Sequence, residues 1–119
     1  MSEERLIALL AEAPRGPKRE GLYALWLVLR AAIGVLPPHP LSLKNHRRRL
    51  QALEHRLATL ALPGPLKRAL IAAREHLEPG TPTAAATVLS QLVAPAREVL
   101  GSDAGDAVAV AARAAHVHL

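Results

Sequence analysis

Apolar residues recur along this chain three and four positions apart, and clusters of proline and glycine divide the pattern into stretches of helical length. The predicted helices cover residues 2–12, 17–36, 42–62, 66–78, 82–100 and 102–115. Residue types that favour N-cap positions stand at four of the starts: Ser2, Ser42, Thr81, and Ser102 or Asp103. Pro95 lies inside the fifth stretch and predicts a kink there. We therefore predict a single all-α domain over residues 1–119, a small bundle of five or six helices.

The second stretch is apolar around most of its circumference between residues 22 and 36. Its polar positions share one narrow stripe: Arg19, Tyr23 and Arg30, with Trp26 beside them. A helix of this kind is central in a bundle or buried against another subunit, and we expect the central position. The second arrangement would be a homodimer that covers the excess apolar surface near Trp26 and Ile33.

The third stretch carries the most regular apolar pattern in the chain. Its seam residues are spaced alternately three and four apart: Leu43, His46, Leu50, Leu53, Leu57 and Leu60. His46 in this seam is either a pH-sensitive buried contact or a half-exposed residue in a fraying first turn, and we expect the second. Residues 62–65, Leu-Pro-Gly-Pro, predict a tight turn into the fourth helix. The two helices then form a hairpin over about residues 42–78.

Positive charge is concentrated in this hairpin. Residues 44–74 contain eight of the fifteen basic residues and one acid, Glu54, a net charge of +7. The eight are the candidate contacts to an anion or nucleic acid: Lys44, Arg47, Arg48, Arg49, Arg56, Lys67, Arg68 and Arg74. So local an asymmetry indicates either an acidic partner or a face that stays solvated.

Phosphate binding by these residues is chemically reasonable, because the planar guanidinium matches phosphate oxygens. The segment has no aromatic residue for stacking on bases, and its Pro-Gly-Pro linker does not fit a helix-turn-helix. Arg30 is a separate candidate. It could bind an anionic ligand, pair with an acid such as Glu98 or Asp106, or extend to the surface with its stem packed, and we expect the last.

Catalytic and metal-binding patterns are missing. There is no cysteine, no Gly-rich phosphate loop and no Gly-x-Ser-x-Gly motif. The histidines lack metal-ligand spacing, including the pair His116 and His118 and the hairpin residues His55 and His76. We expect no metal, no cofactor and no membrane-spanning helix. The absence of cysteine and the acidic N-terminus suit a cytoplasmic protein.

The function that these features favour is non-catalytic: an intracellular binding, assembly or regulatory module that acts through protein–protein contacts, with another protein or with itself. The first alternative is a nucleic-acid-associated protein that binds phosphates through residues 44–74. The second alternative is a small helical enzyme or receptor in which Arg30 binds an anionic ligand.

Overall fold

The chain folds into six helices within the part that the structure covers. This structure is a computed structural model that describes residues 2–61 and 64–119, with Ser2 described in its backbone alone. The helices are α1 (Ser2–Glu12), α2 (Pro17–Ile33), α3 (Leu43–Ala58), α4 (Gly64–His76), α5 (Pro82–Leu100) and α6 (Ser102–His116). The described residues contain no strand, so the predicted all-α bundle is confirmed. None of these helices has the length and apolarity needed to cross a membrane.

Helix α2 is the centre of the bundle. It packs against all five other helices, and nine of its seventeen residues are buried. One continuous core holds apolar side chains from every helix. Because the sequence has no phenylalanine, that core is built from leucine, alanine and valine, and each buried leucine contributes about 2 kcal/mol by leaving water.

Small residues bring α5 and α6 close together. Gly101 joins the two helices with φ of +103°, a conformation that glycine adopts without steric cost. A Cβ added at Gly105 would lie 2.6 Å from the Cβ of Arg97, so only glycine permits this approach. Asp106, one residue further on, forms an ion pair with Arg97 on the solvent-exposed side of this contact, with 3.0 Å between Oδ1 and Nη2.

Two of the predicted N-caps are confirmed. The Ser42 hydroxyl accepts from the backbone N–H of Asn45 at 3.2 Å, and the Thr81 hydroxyl accepts from that of Ala84 at 3.2 Å. The prediction at α6 is wrong, because Ser102 and Asp103 already lie inside the helix. Gly101 is the N-cap instead: it has no side chain that could cap the helix, and its carbonyl accepts from the Gly105 N–H. The predicted Ser2 cap falls on a side chain outside the described part.

Tight turns end α2 and α3 earlier than predicted. The first two backbone N–H groups after Gly34, and the first two after Ala58, bond to carbonyls three residues back rather than four, which closes each helix. Helix α4 begins and ends two residues before its predicted limits of 66 and 78. The predicted turn at 62–65 lies partly outside the described residues. Helix α5 continues through Pro95 without a break.

The seam on α3 is buried except at its first position. Leu50, Leu53, Leu57 and Leu60 all belong to the core. Leu43 is 55% exposed, so its assignment to the seam is wrong. It is the first residue of α3, and it lies on a part of the helix surface that neither α2 nor α4, the helices on which α3 packs among the described elements, covers.

His46 is also placed differently from the prediction. It is 2% exposed rather than half exposed, and its Nε2 lies 2.7 Å from the carbonyl oxygen of Leu77. Because a carbonyl can only accept, Nε2 carries the proton and donates. Nδ1 is buried and has no hydrogen-bond partner among the described residues. His46 therefore joins the start of α3 to the end of α4, with Gly80 packed against its ring.

Replacing His46 with alanine should lower the free energy of unfolding by about 2–3 kcal/mol, because it removes a buried hydrogen bond and leaves a cavity. The matched control is His55→Ala, at an exposed position of the same helix, expected to change stability by less than about 0.5 kcal/mol. Urea denaturation followed by circular dichroism measures both. Equally small losses in the two variants would show that His46 is not a packed contact.

Candidate binding surface on the basic hairpin

The eight cations predicted as contacts are distributed over both arms of an antiparallel pair of helices. Contacts between the start of α3 and the end of α4, and between Leu60 and Lys67 near the turn, fix this orientation. The structure separates the eight into two groups. Four bind elsewhere within the protein: Arg49, Arg56, Lys67 and Arg74. The other four are exposed and make no hydrogen bond or ion pair within the described residues: Lys44, Arg47, Arg48 and Arg68.

Arg49 connects α3 to the end of α2. Its Nη1 donates to the carbonyl oxygen of Arg30 at 2.8 Å. Gly34 leaves the space for this contact, since a Cβ there would lie 3.0 Å from the same Nη1. Burial, and then the nearby charge of Arg30, lower the pKa of Arg49, while Glu3 partly opposes them. The charged side chain gives a second hydrogen bond to this carbonyl in the last turn of α2, which also accepts from the backbone N–H of Gly34.

Arg74 engages the acids of the hairpin. Its Nη1 bonds to Glu78 at 2.5 Å, and its Nη2 lies 3.5 Å from Glu54 on α3. The hydrogen bond to Glu78 raises the pKa of Arg74; partial burial opposes that change, and the charges of Glu78 and Glu54 reinforce it. Glu54, the single acid of the segment, is therefore already paired and does not neutralise the exposed cations.

The polar stripe of α2 faces Arg49 and Arg56, two arginines of α3 that are seven residues apart in the sequence. The guanidinium carbon of Arg56 lies 4.4 Å from the ring centroid of Tyr23, and that ring lies 5.6 Å from Trp26. Arg30 continues the row at 4.9 Å from the Trp26 centroid. Cation–π contacts of this kind contribute about 0.5–1 kcal/mol each at partly exposed positions.

Arg30 lies at the edge of the bundle with its side chain 37% exposed. Its ion-pair partner is Glu3 of α1, at 3.8 Å, and among the described residues it pairs with neither of the acids suggested by the sequence. Asp106 pairs with Arg97 instead. A contact this exposed adds little stability and does not form an enclosed anion pocket.

Trp26 and Ile33 are partly buried and pack against the core of one chain. The remaining apolar circumference of α2 is covered by the other helices of the same chain. The apolar surface of α2 that suggested a homodimer is therefore covered within one copy of the chain. The oligomeric state itself stays a prediction.

Lys44, Arg47 and Arg48 lie together on the outer side of α3 and form what we name the α3 cationic face. Their spacing, with Gln51 one turn further, places them on one side of the helix, around a shallow cleft of about 340 Å³. Exposed Leu43 borders this cleft. Arg68 lies near the opposite end of the hairpin, with its guanidinium folded over Gly64.

Catalytic and metal chemistry find little support in the described residues. No group of three or more histidine, cysteine or acidic side chains could hold a metal ion there. Sequence reasoning did not anticipate one contact, the Ser90 hydroxyl at 3.1 Å from Nε2 of His116. Both residues are exposed, and within the described part no acid orients the imidazole as a nucleophilic triad requires.

Comparison of the chain with known protein families, with curated proteins and with solved structures finds no match.

The division of the hairpin cations into internally bound and exposed residues can be tested on two neighbouring positions. Arg49→Gln should lower the free energy of unfolding by about 1.5 kcal/mol, because it removes a charged, partly buried hydrogen bond. Arg48→Gln makes the same change of charge at an exposed position and should have an effect below about 0.5 kcal/mol. Urea denaturation of both variants distinguishes the roles. Equal effects would mean that Arg49 is another solvated surface residue.

Proposed function

We propose that this protein is a non-catalytic binding module that docks an acidic surface of a partner protein through the α3 cationic face. The observation that carries the proposal is a group of three neighbouring cations that make no hydrogen bond or ion pair within the described residues, around a cleft that no acid lines. Arg49, Arg56 and Arg74 contact a carbonyl, an aromatic ring or carboxylates within the protein, whereas these three are exposed, as is Arg68 near the opposite end of the hairpin.

The position of the face along α3 adds to its positive potential. The first turn of α3 contains no acid, and Lys44 lies within it. The start of a helix carries a partial positive charge, so a cation placed there costs a few tenths of a kcal/mol up to about 1 kcal/mol. An acidic partner would turn this unfavourable arrangement into a favourable one, and it would accelerate the encounter of the two molecules.

A protein partner fits the face better than a nucleic acid does. Three phosphate contacts correspond to a salt dependence of only about −2.7 in log–log slope, and the cations engaged elsewhere cannot contribute without breaking internal contacts. The face also lacks an aromatic residue for stacking on bases. Leu43, at its border, offers the apolar contact that protein interfaces combine with arginine.

The proposal predicts that charge reversal at the face abolishes binding to an acidic peptide. The test variant is K44E/R47E/R48E, and the probe is fluorescent polyglutamate in an anisotropy titration at low salt. The matched control is R5E/K18E/R113E, which changes the net charge equally at exposed positions on other helices. We expect at least about a tenfold loss of affinity in the first variant and less than about a threefold loss in the second.

Duplex DNA serves as the second probe in the same titration. Equal losses of polyglutamate binding in the two variants would show that net charge alone is responsible and would contradict the proposal. A protein that binds duplex DNA with a slope well steeper than about −3, and does not bind polyglutamate, would favour the nucleic-acid alternative. Circular dichroism confirms that each variant is folded.

A further inference from the structure

A second cationic site lies on the other side of the hairpin, where the end of α3 meets the beginning of α2. A cleft of about 300 Å³ opens there between the α1–α2 connection and α3. Its lining residues are Arg15, Gly16, Arg19, Glu20, Tyr23 and Arg56. Three arginines from separate places in the sequence thus converge on one concave surface, and none of them belongs to the α3 cationic face.

Internal contacts orient two of the three guanidinium groups. Arg56 lies over the Tyr23 ring at 4.4 Å, which holds its planar group at the wall of the cleft. The Nη1 of Arg19 donates to the carbonyl oxygen of Ala13 at 3.2 Å, which leaves its other N–H groups available. Arg15 is exposed and makes no hydrogen bond or ion pair within the described residues. The site therefore has a partly fixed geometry with several unused donors.

The charge of the cleft is not compensated by the protein. Three arginines and one glutamate line it, a net charge of +2. Glu20 forms no ion pair with any of the three among the described residues. Like charges that share a concave surface repel one another, and a bound anion relieves that repulsion. Gly16, the N-cap of α2, also lines the cleft and has no side chain that could cap the helix.

We propose that this cleft binds the phosphate group of a small phosphate monoester. A monoester carries nearly two negative charges at neutral pH, which matches the charge of the lining residues. Arginine forks bond to two phosphate oxygens at once, and three of them surround the space. The volume accommodates a phosphate with a short carbon chain. A phosphodiester carries a single charge and fits this balance less well.

The binding can be followed with the fluorescence of Trp26, the only tryptophan, whose ring lies 5.6 Å from that of Tyr23. Glycerol 3-phosphate, inorganic phosphate and dimethyl phosphate are titrated at constant ionic strength, with chloride as the balancing anion. We expect saturable changes with the first two ligands, and affinity for dimethyl phosphate lower by about fivefold or more because it has half the charge.

Variants locate the site. Arg15→Gln and Arg19→Gln should each weaken glycerol 3-phosphate binding by about tenfold. Lys18→Gln is the matched control: it removes one positive charge from the same helix start but lies outside the cleft, and should change binding by less than about twofold. Arg15 is exposed and has no hydrogen bond or ion pair in the described part of the chain, so we expect its replacement to leave the fold intact and to keep the test valid if Arg19→Gln is unstable.

Three results would overturn the proposal: no saturable change up to about 10 mM glycerol 3-phosphate, an equal loss in Lys18→Gln, or dimethyl phosphate binding as tightly as the monoester. The site is independent of the proposed protein-binding function. Accordingly K44E/R47E/R48E should leave the glycerol 3-phosphate affinity within about twofold of the unmodified protein, so that either proposal can fail without the other.

Discussion

The enclosure of α2 by the five other helices is the constraint on which the rest of the structure depends. The core consists largely of leucine and alanine and has no phenylalanine. Because these side chains are short, the apolar surface of α2 is covered only when other helices pack closely around it on nearly every side. One narrow polar stripe, from Arg19 to Arg30, is left at the surface. Helix α3 packs beside that stripe, which brings Arg49 to the Arg30 carbonyl and Arg56 to the Tyr23 ring.

This packing explains why a segment of charge +7 does not behave as one uniform basic surface. Arg49 bonds to the end of α2, Arg56 lies over an aromatic ring, and Arg74 pairs with Glu54. Because no described element packs on the outer side of α3, Lys44, Arg47 and Arg48 remain exposed. The same packing joins Arg56 to Arg15 and Arg19 around a separate cleft. The two proposed anion sites therefore both include residues of α3 and share none.

Local patterns in the sequence were sufficient for the helices but not for the partners of their side chains. Apolar spacing and cap residues predicted six helical stretches, the central place of α2 and the buried leucines of α3. The burial of His46 depends on its contact with the carbonyl of Leu77, 31 residues away in the sequence. The burial of Arg49 depends on the path of residues 34–42, which brings its guanidinium next to Gly34. Neither is encoded in periodicity. The spacing of Arg49 and Arg56 was visible in the sequence, but their contact with the α2 stripe required the packing of α2 against α3.

The central claim, that the hairpin cations divide into internal and solvent-facing groups, is tested most directly by ¹⁵N relaxation of the arginine Nε–Hε groups. The account predicts order parameters near the rigid limit of about 0.85 for Arg49 and Arg74, and below about 0.6 for Arg47 and Arg48. Similar order in all four side chains, or greater order in Arg47 and Arg48 than in Arg49 and Arg74, would contradict it.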